Sequence, residues 1–337
     1  MPLVRAGAAV RPARRGSLLA TSPTVPEPAA PGPVVVPHTL RRTLGHTPEE
    51  LFPLILDAAV LGAPEGAALL DRFAAWGGNA IVVTDGAGSA AGEETVGRWL
   101  AGRRDRDRFV LIGRFGASPS SAPSPRALVG RIEEALRRLR TDRFDVLALR
   151  PDGAGRLDEL LSAIEVLLSR GLAREVVASG FSPEELFEAR VLAAHGLPRF
   201  AAVEVRYNLL EREEAEGDLG LVAAGQGLSL LSTVPLAHGF LRGLGRTRRQ
   251  LGRQPEGALA AAHLGRRGRR VLTALDAIGG ELSAVPAAVA LAWLLARPGL
   301  AAATVAPHSA ADIDALVRAV ALRLDEGHLA ALDHARR

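Results

Sequence analysis

The chain has no cysteine and no lysine, and a single tyrosine, Tyr207, in 337 residues. Without cysteine there are no disulfides, no thiolate metal ligands and no thiol nucleophile. Without lysine all 41 basic residues are arginine, whose guanidinium is a poor proton relay because it stays charged up to a pH above about 12. No stretch approaches the roughly 18 consecutive apolar residues of a membrane span, so no membrane association is expected. No grouping of His, Asp and Glu has metal-ligand spacing, so no metal is expected. Acid is scarce at the N-terminus. Residues 1–46 hold six arginines against Glu27 alone, whereas the rest has 35 basic and 36 acidic residues. The net charge of +4 therefore sits in that segment, and the near-neutral remainder argues against a nucleic-acid surface.

What is present is apolar mass: 48% of residues are hydrophobic, enough for a large core. The length suits one barrel of about 250–300 residues with extensions. Residues 1–46, rich in Pro, Ala and Arg without sustained period, are predicted to be a disordered tail. Arg with Ser and little acid also fits a transit peptide. A solvated tail is the simpler reading, and Pro2–Ala20 lacks the apolar run of a signal peptide, so the expected location is cytoplasmic.

From residue 47 to 337 strands and helices alternate, the pattern of a parallel sheet with crossover helices. Strands are predicted at Ile55–Leu61, Ile81–Thr84, Phe109–Arg114, Phe144–Leu149, Glu175–Ser179, Ala201–Tyr207, Leu228–Val234 and Ala302–Ala306. Helices are predicted at about Pro64–Trp76, at Glu93–Leu100, from Ser124 as cap to Arg140, and at Leu157–Ser169. Ser182 with Glu185 three residues on reads as a capping box, and Ser309 caps the helix after the last strand. Eight such units make an α/β fold, a closed (β/α)8 TIM barrel. Residues 237–282 form a long Arg-rich insertion after strand seven, and Leu324–Arg336 is predicted to be a C-terminal helix.

The stretch Gly77–Leu100, GGNAIVVTDGAGSAAGEETVGRWL, resembles the aldo-keto reductase family. So do ALRRLRTDRFDV (Ala135–Val146), ASGFS (Ala178–Ser182), EVRYNLLER (Glu204–Arg212), VPLAHGFLRG (Val234–Gly243) and VALAWLLARPGL (Val289–Leu300). The resemblance spans about residues 50–335. It implies a TIM barrel that reduces carbonyls with NADPH through an Asp-Tyr-Lys-His tetrad. Carried over residue by residue, the tetrad Asp is Val82, the Tyr is Ala87 and the Lys is Arg114. The His falls in Leu149-Arg150-Pro151-Asp152, where it is deleted or replaced by Leu149 or Arg150. With no lysine anywhere, and Tyr207 in a packing segment, the usual mechanism is excluded on inventory. The nicotinamide positions read Ser179, Gly180, Glu204 and Thr233, and of these Ser179 alone matches. Ser179, Gly180, Leu236, His308 and Ser309 are the remaining candidates for holding NADP(H), whose binding is expected to be weakened.

Candidate catalytic residues are Glu204, Arg114, Arg150 and Asp85. A carboxylate at Glu204, partly buried in the mouth, would act as acid or base with a raised pKa, or else pair with Arg114 or Arg150. Two guanidinium groups at strand ends suit a carboxylate or phosphate ligand. Asp85 reads as a turn acid or a site residue, while His238 and His308 are loop residues within reach of the pocket. Three functions follow: a pocket for an anionic small molecule used in a non-redox reaction or in binding, an NADP(H)-dependent oxidoreductase whose proton donor is Glu204 or a water held by Arg114, or a non-catalytic scaffold with a protein partner.

Overall fold

The computed structural model describes residues 40–86, 89–116, 125–151, 156–253 and 256–337. The expectations at Ala87, Ser124, Asp152 and residues 1–39 of the tail lie outside the described residues. Around Gly77 the chain folds as the sequence predicts. Helix Gly66–Ala75 ends, Gly77 turns at φ 87°, and the strand Ala80–Thr84 follows. A Cβ on Gly78 would lie 2.4 Å from the Phe73 ring, so only glycine lets the turn press against that helix. The buried Asn79 side chain accepts from the Phe52 N–H at 2.7 Å and donates to the Glu50 carbonyl at 2.9 Å. Glu93, only 1% exposed, accepts from Arg138 Nε at 2.5 Å. At Gly97 the helices Ala90–Ala101 and Pro125–Leu139 touch, and a Cβ would lie 2.6 Å from the Arg138 carbonyl oxygen. The motif residues that carry the resemblance are thus spent on the frame.

Eight parallel strands close into a barrel. They are β1 Leu54–Asp57, β2 Ala80–Thr84, β3 Val110–Phe115, β4 Phe144–Leu149, β5 Ala173–Ser179, β6 Ala202–Val205, β7 Ser229–Ser232 and β8 Leu300–Val305. β1 stops four residues short of its expected end because Asp57 accepts from the Ala59 N–H at 2.9 Å and starts a 3-10 turn. β6 and β7 also end early. Asn208 accepts from the N–H groups of Leu210 and Glu211 and donates to the Val234 carbonyl, which turns both strands away.

Residues 40–46, assigned to the tail, belong to the fold. Arg42–Thr43 pairs antiparallel with Glu50–Leu51, and the Arg42 guanidinium donates to the carbonyls of Leu300 and Leu295 at 2.8 Å each. Leu44 and Leu51 are fully buried and plug the N-terminal end. A strand of two residues is too short to leave a period in the sequence.

Above that plug, inward side chains from each strand (Ile55, Val82, Ile112, Ala148, Val177, Ala202, Leu231, Ala302) form an apolar core. One alternation further along, the inward positions turn polar: Asp57, Thr84, Arg114, Arg150, Ser179 and Glu204. The registers Thr84↔Arg114 and Ser179↔Glu204 keep these side chains on one face. The C-terminal helix Glu326–Arg336 docks through Asp333, which accepts from Trp293 Nε1 at 3.0 Å and pairs with Arg212 at 2.8 Å. Among the described residues no single helix is long and apolar enough to cross a membrane.

Candidate functional site at the barrel mouth

Arg114 on β3 reaches across the mouth to Glu204 on β6. Its Nε donates to both carboxylate oxygens at 2.9 and 3.0 Å, and Nη2 adds a bond of 2.7 Å to Oε1. Arg114 Nη1 donates to Thr84 Oγ1 at 3.2 Å, and Ser179 Oγ donates to Glu204 Oε2 at 2.6 Å. Glu204 is 6% exposed. Burial works to lower the Arg114 guanidinium, and the Glu204 carboxylate outweighs it, so the charged form is favoured. With a guanidinium and a hydroxyl donating to it, Glu204 is an ion-pair acceptor. Of its two sequence readings, the structure supplies the partner that the pairing reading named.

The bridge runs from β3 to β6, and its Glu204 lines a cavity of about 470 Å³ together with Arg150, Ser179, Gly180, Arg206, Asp218 and Thr233 among others. Gly180 has φ 66°, and a Cβ there would fall 2.8 Å from Arg150 Nε. The Arg150 side chain therefore lies over Gly180, in the space that any larger residue would claim. Three other charges on the cavity wall are already paired, Arg206 with Glu214 at 2.8 Å and Glu213 with Arg336 at 2.5 Å. Among the described residues Arg150 has no ion-pair partner.

Asp57 stands at the end of β1, in register with Val82 of β2. One carboxylate oxygen accepts the Ala59 N–H, and no second partner is found among the described residues. Burial pushes its carboxyl above the usual range, Glu256 and Glu204 add to that, and the Ala59 N–H and Arg114 oppose it. Sequence reasoning missed this residue. The signal was an acid two positions after Ile55 in an otherwise apolar strand, inward by alternation, but a strand drawn through to Leu61 hid it.

Asp85 accepts from Arg131 Nη1 at 2.6 Å, and Arg131 Nη1 also reaches the Gly116 carbonyl at 3.0 Å, tying two loops together. Val82 is 1% exposed in the core. Tyr207 donates to Glu216 Oε1 at 2.9 Å, and burial first, then Glu216, pushes its phenol far above the usual range. His238 has φ 54° and holds Glu256 Oε2 at 2.9 Å. Leu236 is half-buried beside that turn, and His308 and Ser309 are exposed at the start of helix Ala310–Ala321.

That helix start is already filled. Ser309 Oγ accepts from the Asp312 N–H at 3.1 Å, and Asp312 Oδ2 accepts from the His308 N–H at 3.0 Å and pairs with Arg242 at 2.7 Å. Burial works to raise Asp312, and these donors outweigh it, leaving a carboxylate where a bound phosphate would sit. In the insertion Arg246 pairs with Asp276, while Arg248, Arg249, Arg253, Arg266, Arg269 and Arg270 are exposed. Among the described residues no group of three His, Asp or Glu is placed to hold a metal ion.

A sequence profile of the aldo/keto reductase family matches residues 61–337. The chain is 29% identical over 285 residues to the aldo-keto reductase ausK of Aspergillus calidoustus, covering 76% of this chain and 69% of that protein. It is 28% identical over 250 residues to the uncharacterized oxidoreductase YrpG of Bacillus subtilis, covering 69% and 74%. Against the norsolorinic acid reductase stcV of Emericella nidulans the identity is 24% over 272 residues, covering 77% and 68%.

Proposed function

The chain belongs to the aldo/keto reductase family, and from that premise we propose that its barrel does not perform tetrad-based carbonyl reduction but binds an anionic small molecule, for a non-redox reaction or for binding alone. The dinucleotide of this family does not fit the residues in place. The Ser179 hydroxyl is spent on Glu204, and the Arg150 side chain lies over Gly180. Thr233 offers no aromatic platform for a ring, and the helix start at Ser309 carries its own Asp312 carboxylate.

The observation that carries the anion reading is Arg150: a guanidinium on the cavity wall, beside neutral Gly180, with no carboxylate pairing it among the described residues. Titrating oxalate into the protein by calorimetry tests it. Saturable heat in the wild type that is lost in Arg150→Ala is expected. Equal binding by both, or none by the wild type, would sink the reading. A second reading, an NADP(H)-dependent oxidoreductase with an atypical proton donor, draws on the reductase names of the relatives. It requires Ser179 and Arg150 to vacate their present positions. A scaffold role with a protein partner is the reading left if neither ligand binds.

A further inference from the structure

We propose that Asp57 is the proton-transfer residue of this mouth, able to give a proton to, or take one from, a ligand oxygen lying against Arg114. It rests on the reading that the mouth is a working ligand site without the family tetrad. Three observations place it there. Asp57 ends β1 in the inward register, paired with Val82, the position where the resemblance puts the lost carboxylate. The carboxyl absent from β2 is thus present one strand over. Arg114, the cation on β3, gives its hydrogen bonds to Glu204 and Thr84. Asp57 feels that guanidinium without being neutralised by it, and only the Ala59 N–H is bound to it among the described residues.

Glu204 takes the hydrogen bonds of Arg114, and Asp57, held by one N–H and partly buried, is left with its carboxyl above the usual carboxylate range. Among the described residues the charges acting on Asp57 pull in both directions. Arg114 of β3 favours the carboxylate, while Glu204 of β6 and Glu256 of the insertion favour the acid. Glu256 is in turn held by His238 at 2.9 Å. The step moves one proton and no electrons. Asp57 Oδ–H breaks, a ligand O–H forms, and the carboxylate left behind faces Arg114. Run backward, Asp57 is the base.

Carboxyl 13C NMR of the full chain labelled at aspartate tests this directly. One resonance, absent in Asp57→Asn, is expected to titrate above the ordinary aspartate value of about 3.9. In Glu204→Gln its midpoint is expected to fall, because Arg114 is released to Asp57. In Arg114→Met it is expected to rise, which serves if the first variant does not fold. An ordinary midpoint, or one unmoved by the bridge variant that folds, overturns the proposal. The same resonance is then followed with oxalate at saturation: a further displacement of its midpoint supports the assignment, and an unmoved midpoint with oxalate bound overturns it. If oxalate fails to bind while the NMR displacements hold, the Arg150 reading falls and Asp57 stands.

Discussion

The two ends of the barrel are built on opposite principles. At the N-terminal end Leu44 and Leu51 are fully buried, Asn79 has both amide groups satisfied, and Arg42 donates twice to backbone carbonyls. Each of these residues has one way to sit. At the mouth, Arg114, Glu204 and Asp57 offer one cation to two carboxylates, and Arg150, with no ion-pair partner among the described residues, lies over a glycine. The polar side chains of the closed end are bonded to the frame, whereas at the mouth Arg150 has no ion-pair partner and Asp57 only the Ala59 N–H among the described residues. A site needs such groups, because a ligand can only be recognised by groups the protein has not already satisfied.

The comparison is easiest to break at the bridge. Glu204→Gln removes one partner of a buried ion pair and is expected to cost about 3–5 kcal/mol in urea unfolding. Removing both partners, as Arg114→Leu with Glu204→Leu, is expected to cost much less than the sum of the single changes. If the singles are neutral, the bridge is not the organising contact of the mouth. Leu44→Ala at the closed end is expected to cost about 2–5 kcal/mol, with oxalate affinity unchanged. A loss of affinity there would mean that the two ends are coupled.

Gly180→Asn probes the space taken by Arg150. It is expected to destabilise the protein in the wild-type background and less so with Arg150→Ala, with a coupling of about 0.5–3 kcal/mol in a double-mutant cycle. Additive effects would show that Arg150 does not rest on Gly180. The smallest effect is expected at Asp57. Its folded pKa is raised, so between the unfolded and folded values the native state binds more protons than the unfolded chain, and stability falls as pH rises through that window. Asp57→Asn should therefore raise the melting temperature above the window and leave it unchanged below both values. The same gain at all pH values would assign the effect to packing.

How much of this was legible depended on how each feature is written in the chain. Parallel strands buried on both faces leave apolar runs, and β4 and helix Leu157–Ser169 were placed to the residue. The Ser182 and Ser309 caps were also readable, since a cap acts within three residues of itself. The hairpin strand Arg42–Thr43 was not, because two residues leave no period. At the mouth, sequence could name Arg114, Arg150, Ser179 and Glu204 but not their pairing, which joins residues 90 apart across the barrel. Asp85 shows the converse. It matched the family pattern in register, yet its partner is Arg131 in the next helix, a contact that ties two loops together. Asp57 was overlooked because the strand end was drawn too late, and a strand end decides whether an acid caps a turn or lines a mouth.

The proposed loss of dinucleotide chemistry is tested most directly by titrating NADPH into the purified protein and following nucleotide fluorescence. The expected result is no change at millimolar nucleotide, with no turnover of aryl aldehydes. Saturable binding at micromolar nucleotide, with aldehyde-dependent oxidation of NADPH at ordinary enzymatic rates, would contradict it.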